Sequence, residues 1–360
     1  TSFVIPENVT TLGARALSGT AIVSIEIPAN VEFIGDGAFA GCNKMTGITF
    51  VEGDKPLVLG TLENTDNKNG VFYGTKIKEF VVADRVTLIG AYAFYAQNTL
   101  TTLTVSENGK LKEIGSYAFA NSRANKLKNI SLGNKLETIH AYAFQCCIFT
   151  SFEIPNSVTL VDQYAFNKCT KMTSVTFAPG GTLPLTVRAY AFAGNTALKR
   201  VTLPARLEVI YSVSTPTSGA VGVFKDAFQV FNGATALAEI TVEEGCTYFA
   251  SIDGILYEKT NGVIDTLLYC PPAKTGELTI SKDIRVVEHG AFVGTKLSVI
   301  NFENYEEGDE NSKRNRASGK VDIRLLVLGE CRKCWRSQLA SCCVCVAELD
   351  VARTNVDARL

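Results

Sequence analysis

The dipeptide Ala-Phe returns again and again in this chain, at Ala38-Phe39, Ala93-Phe94, Ala118-Phe119, Ala143-Phe144, Ala165-Phe166, Ala191-Phe192, Ala227-Phe228 and Ala291-Phe292. From Phe94 onward, up to Phe228, the steps between these phenylalanines are 25, 25, 22, 26 and 36 residues. The gap of 55 between Phe39 and Phe94 is divided by Phe72 into 33 and 22, and Ala16-Leu17 is a weaker first copy, 22 residues before Phe39. Self-similarity at this period is the mark of a solenoid. One such unit cannot bury its apolar face alone, whereas stacked units share a continuous core.

Each copy carries the same frame. Upstream of Ala-Phe stands an Ile-Gly pair, as in Ile34-Gly35, Ile89-Gly90 and Ile114-Gly115. Downstream comes an apolar-x-x-apolar-x-apolar segment, such as LTTLTV from Leu100, LKNISL from Leu127 and MTSVTF from Met172. Its alternating end has strand period. A following proline (Pro28, Pro155, Pro204) cannot donate to a ladder and closes the strand. The Ile-Gly…Ala-Phe segment then turns the chain back, with glycine allowing the bend and phenylalanine plugging the interior. Residues 1–302 hold roughly 12 coils, and at about 4.8 Å per strand their ladder would be roughly 55 Å long. The predicted fold is a right-handed leucine-rich-repeat solenoid: short parallel strands on one face, irregular or 3₁₀-like turns on the other, and little regular helix.

This frame, apolar-x-x-Ile-x-Ile-Pro…Ile-Gly-x-x-Ala-Phe-x-x-Cys, resembles the BspA-like, Treponema-type leucine-rich repeats. Residues 249–280, FASIDGILYEKTNGVIDTLLYCPPAKTGELTI, resemble an insert often found among those repeats. The resemblance implies a secreted or surface-displayed bacterial protein that adheres to host or microbial surface proteins, glycans or other cells.

Three segments interrupt the frame: residues 51–70, rich in Gly, Asn and Asp, residues 211–224, and the insert near 246–275. They read as loops on one edge. Residues 303–360 lose the repeat and hold 7 arginines, as many as the preceding 302 residues, together with 5 of the 11 cysteines and the only tryptophan. This tail reads as a small cysteine-bearing element, a cap over the last open coil, or sequence never selected to fold. Within it Cys331 and Cys334 are followed by Cys342, Cys343 and Cys345, a spacing shorter than that of paired zinc knuckles. No metal or cofactor is expected. The chain begins at Thr1 without a basic and apolar leader, and so reads as a mature or shortened form whose leader is missing, which says nothing about secretion.

Composition narrows the function. Lys plus Arg is 35 and Asp plus Glu is 36, which does not suit a nucleic-acid binder. No apolar run is long enough to span a membrane. The two histidines, His140 and His289, fall about six coils apart and cannot form one site, so no His-assisted nucleophile can be assembled. A glycan- or peptide-degrading hydrolase would need paired carboxylates in a cleft, and the acidic residues here are scattered between coils. A binding protein and a ligand-free spacer therefore stand ahead of an enzyme.

Two surfaces are candidate contact sites. The strand face turns outward Thr102, Thr104, Asn129, Ser131, Ser151, Glu153, Ser174, Thr176, Arg200, Thr202, Glu239 and Thr241, a hydroxyl-rich and weakly charged set. Tyr92, Tyr117, Tyr142, Tyr164 and Tyr190 precede Ala-Phe in five consecutive coils and should form an aromatic ladder along one edge, either as repeat packing or as a surface for sugar stacking or a partner. Cys42, Cys147 and Cys169 each lie three residues after a repeat phenylalanine and read as buried thiols, with a Cys147–Cys169 disulfide sterically thinkable.

Overall fold

The structure, a computed structural model, describes residues 3–120, 126–211, 227–288 and 290–303. His289, residues 212–226 with nearly all of the second insertion, and nearly all of the Arg- and Cys-rich tail lie outside the described residues. The described chain is a parallel-strand solenoid of about 12 coils. Among the described residues, Ala227–Val230 is the one helical turn.

The apolar-x-x-apolar-x-apolar segments form the expected strands, from Ser24–Ile27 to Glu239–Val242. Their side chains alternate exposed and buried, as in Ser24–Ile27 and Ser151–Ile154. These front strands do not make one ladder. They pair in groups of two, three and four, with gaps after Gly47–Phe50 and after Asn129–Leu132. At each gap the plug stands five residues before the first apolar residue of the next front segment, Phe72 before Ile77 and Phe144 before Phe149.

The unbroken ladder lies elsewhere. The Ile-Gly segments, read from the sequence as turns, contain strands of two to five residues. Nine of them, from Thr11–Leu12 to Leu207–Tyr211, form one continuous parallel sheet. Leu57–Leu59 is one of these strands, so the stretch 51–70 is two loops flanking a strand rather than a single loop. The repeat glycine also has a different cause from the one its spacing suggests. Gly35, Gly90 and Gly115 do not have positive φ. A Cβ at Gly35 would lie 2.6 Å from the Ala14 nitrogen, and one at Gly115 would lie 2.5 Å from the Ala91 nitrogen. Glycine is needed here because the preceding coil approaches so closely.

Inside, the plugs form a column of face-to-face rings: Phe39, Phe72, Phe94, Phe119, Phe144, Phe166, Phe192, Phe231 and Tyr269, with centroids 4.7–6.0 Å apart. The eighth plug corrects the sequence-based expectation. Ala227-Phe228 is not the repeat pair. Phe231 stacks on Phe192, and Phe192 N–H donates to the Val230 carbonyl, the place alanine holds in regular coils. Phe228 instead packs against Gly290, and it belongs to the helical turn Ala227–Val230, which comes after the 211–224 insertion.

The turns are also joined between coils. Phe94 N–H donates to Ala118 O, Phe119 N–H to Ala143 O and Phe144 N–H to Ala165 O, at 2.7–2.8 Å. Three residues after the plug, buried side chains reach back to the previous plug's carbonyl: Cys42 to Leu17 at 3.1 Å, Gln97 to Phe72 at 2.6 Å and Cys169 to Phe144 at 3.1 Å. Cys42, Cys147 and Cys169 are thus buried thiols acting as hydrogen-bond donors, and no disulfide joins Cys147 to Cys169. Burial raises the Cys169 thiol well above its ordinary pKa, which keeps it protonated for that role.

Beyond Glu239–Val242 an antiparallel hairpin, Phe249–Ile252 with Ile255–Thr260, leads into Val263–Tyr269, which pairs in parallel with Val286–Val287. A second, smaller core lies here, with Ile255, Leu267, Ile280 and Ile300 among its members.

Candidate binding surfaces

On the front face the register aligns the outward residues across coils. Glu79, Thr102 and Asn129 form one row, and Val81, Thr104 and Ser131 the next. After the gap, Ser151, Ser174, Arg200 and Glu239 form a row, with Glu153 opposite Thr176 and Thr202 opposite Thr241. Thr241 Oγ1 donates to Thr202 Oγ1 at 3.1 Å, a direct link between hydroxyls of neighbouring coils. The face is wide, mostly polar, and interrupted once within the candidate set.

The continuous back sheet offers a face that the sequence alone did not reveal. Its outward row runs Thr11, Phe33, Val58, Leu88, Glu113, Thr138, Leu160, Thr186 and Val209. Phe33, Val58 and Leu88 are adjacent and half-buried. The signal was present as Val31-Glu-Phe-Ile34 and Val86-Thr-Leu-Ile89, but two-residue strands carry no readable period. Beside this row Glu113 Oε2 lies 2.9 Å from His140 Nε2, and Arg188 pairs with Asp162 at 3.0 Å. His140 therefore hydrogen-bonds Glu113 from the place that Gly115 holds in the preceding coil.

The tyrosine edge is the most regular surface. Tyr92, Tyr117, Tyr142, Tyr164 and Tyr190 stack ring on ring at 4.5–5.0 Å, within 3–5° of parallel. Tyr95 stands edge-on to Tyr92 and Tyr117. All five rings are half-exposed. Each of the five has φ between 57° and 61°, the left-handed region. That conformation costs a non-glycine residue about 1–2 kcal/mol, and each aromatic stack returns about 0.5–1.5 kcal/mol. The stack thus roughly offsets the backbone strain, in a position that is glycine at Gly37 and Gly290. At the N-terminal end the row stops where the loop 60–70 lies down: Arg15 Nε donates to Asn69 Oδ1 at 2.8 Å, and Asn64 Nδ2 donates to Ala91 O at 3.4 Å.

Stacking has electrostatic consequences. Desolvation, then the neighbouring tyrosines, pushes Tyr117 up to about 12, and desolvation also raises Tyr92 and Tyr164. The folded state favours the neutral phenol, so this stabilisation is complete below the ordinary tyrosine pKa near 10 and is lost as pH rises from there toward 12. Alkaline titration should show tyrosinate absorbance lagging that of the denatured chain, with unfolding in the same window. A Tyr117→Phe variant should shorten the lag. Native and denatured titrations that coincide would contradict the stacked arrangement.

Among the described residues no group of three or more His, Cys, Asp or Glu side chains converges on a metal-sized site, and no helix is long and apolar enough to cross a membrane. Six copies of the BspA type leucine rich repeat region match residues 1–101, 65–128 and 89–214. The chain belongs to this family. Its solenoid is also similar to two solved structures. One is a leucine rich cell surface protein from Faecalibacterium prausnitzii A2-165, with 23% identity, TM-score 0.52, and coverage of 78% of this chain and 63% of that one. The other is the pneumococcal vaccine antigen PcpA, with 23% identity, TM-score 0.50, and coverage of 63% and 55%. This chain thus spans less than two thirds of either protein's length, and the likeness is one of fold. No curated protein is significantly similar to it. In this BspA-type chain the frame residues Ala93, Phe94, Ala118 and Phe119 are all buried, so the candidate contact residues are the variable positions between them.

Proposed function

We propose that this chain is a non-catalytic interaction module, secreted or displayed at a bacterial surface, that adheres to host or microbial surface proteins or glycans. The observation that carries this reading is the in-register display of outward hydroxyl and amide side chains, Thr102, Asn129, Thr104, Ser131, Ser151, Ser174 and Thr176, on coils whose backbone groups are joined to one another. Such a surface lacks the Trp and Tyr anchors of a tight hot spot, so each contact is modest and affinity comes from many contacts at once. The neighbours described as a cell surface protein and a vaccine antigen support the surface setting.

The test is an array of matrix glycoproteins, mucins and purified polysaccharides probed with the full chain and with a variant carrying Thr102→Lys, Thr104→Lys, Ser131→Lys and Thr176→Lys. Saturable binding that the variant loses places recognition on the front strands. Saturable binding that the variant keeps moves recognition off this face. No saturable binding at all favours a ligand-free spacer and ends the interaction reading.

A further inference from the structure

The stacking of the tyrosines restricts what they can bind, and their assignment as a ligand site rests on the interaction module proposed above. Aromatic side chains most often hold sugars by offering a ring face. Here that route is closed for three of the five rings: both faces of Tyr117, Tyr142 and Tyr164 are covered by neighbouring tyrosines. Solvent meets ring edges and phenol oxygens, repeated every 4.5–5.0 Å along the solenoid axis. A phenol hydroxyl both donates and accepts, so the row carries donor and acceptor capacity for a ligand.

The surroundings restrict the ligand's charge. Ala91, Ser116, Ala141, Gln163 and Ala189 directly precede the five tyrosines. One position further back stand Gly90, Gly115, His140, Asp162 and Arg188, whose polar side chains are engaged, His140 with Glu113 and Asp162 with Arg188. On the other flank, at the position of Tyr95, is Gln145, which donates to Asn167. Lys168 is an exposed cation nearby, in the coil of Tyr164. A polyanion finds no basic track among these described residues, and an extended peptide presents its groups at a different repeat from the ring pitch.

We infer that the Tyr92–Tyr190 row is a binding track for a neutral, hydroxyl-rich polysaccharide that lies parallel to the solenoid axis. The phenol hydroxyls exchange hydrogen bonds with successive sugar units, and the ring edges exclude water between them. The ring pitch is comparable to the advance of one pyranose along an extended chain. Five rings give four such steps, so a tetra- to pentasaccharide fills the track.

The experiment is calorimetric titration of the full chain with neutral glucose- and mannose-based oligosaccharides of two to six units, and with polygalacturonate as the charged control. At least one neutral series should bind, at least tenfold more tightly at five or six units than at two, and more tightly than polygalacturonate. A variant with Tyr117→Phe, Tyr142→Phe and Tyr164→Phe keeps the rings, the stack and the backbone, and should bind at least tenfold more weakly while its thermal unfolding stays near wild type. Absence of binding to every neutral series, equal affinity for two and six units, or indifference to the triple variant overturns the inference. The array separates the two readings. If the chain binds glycoproteins equally well after deglycosylation and no neutral oligosaccharide, the track is refuted while the interaction module stands; if nothing binds saturably, both fall.

Discussion

Phe144→Ala should destabilise the solenoid by about 3–5 kcal/mol and split its unfolding into two transitions. The side chain is fully buried and lies at the middle of the plug column, stacked on Phe119 at 5.4 Å and on Phe166 at 5.4 Å, with Phe149 and Phe152 packed against it at 6.3 and 5.6 Å. Removing the ring opens a cavity that these neighbours cannot close without leaving their own stacks. Coils contact mainly adjacent coils, so stability is close to a sum of coil terms and nearest-neighbour terms. A weak interface at the centre therefore uncouples the halves. The coil is already marked by the preceding gap in the front sheet between Asn129–Leu132 and Ser151–Ile154, which leaves the back sheet and the plug column to carry the coupling there. Phe144→Leu keeps most of the volume and should cost less than about 1.5 kcal/mol, with one transition retained. Denaturant unfolding followed by hydrogen exchange of the two halves reads both quantities. A loss under about 1 kcal/mol with a single unchanged transition would show that the column does not couple the coils.

The plug column was legible because Ala-Phe sits at one point in each coil and large side chains at equal repeat positions have equal burial. The outward residues of the front strands, such as Thr102, Thr104, Ser151 and Glu153, were legible for the same reason: a four-residue strand is long enough to show alternation. Other features were not legible, each for a physical cause. The back sheet is continuous, yet Glu113–Ile114 and Thr138–Ile139 are too short to show a period, and their pairing is a property of the stack rather than of the segment. The plug is Phe231 rather than Phe228, and the 211–224 insertion before it breaks the spacing that would have placed it. The tyrosine ladder was visible in spacing, but spacing does not say whether rings lie face to face or side by side. That orientation decides the chemistry, because rings that cover one another leave hydroxyls and edges for a ligand.

Arg85 shows the same limit of local reading. Arg85→Ala should cost about 3–5 kcal/mol, the range for removing one partner of a buried charged network. In sequence it is one residue of a short polar turn, where arginine is ordinarily solvated. In the structure it is 1% exposed, and its guanidinium crosses two coils: Nη1 donates to Val31 O at 2.6 Å, Nη2 to Pro28 O at 2.9 Å and Nε to Val51 O at 3.2 Å. Desolvation lowers its pKa, opposed by Glu52, so the carbonyl dipoles are what hold the charge. The cause lies in the intervening coil. Six residues separate Phe50 from Leu57, where three separate Ile27 from Val31, and the longer turn leaves a gap that the arginine fills. The arrangement recurs at Arg206. Seven residues separate Phe177 from Leu185, and Arg206 Nη1 reaches across that coil to Val158 O at 2.6 Å and to Leu183 O at 3.2 Å. Arg206 leaves Nε and Nη2 buried without a hydrogen-bond partner, so it contributes less. Arg206→Ala should accordingly cost about 1–3 kcal/mol, the range for orphaned carbonyls alone. Arg85→Lys should recover less than half of the Arg85→Ala loss, because one ammonium cannot span three carbonyls set around a planar fork. Equilibrium unfolding of the three variants tests the order. An Arg85→Lys protein as stable as wild type, or an Arg206→Ala loss equal to that of Arg85→Ala, would show that charge alone, and not the three-way bridge over the long turn, is what the core requires.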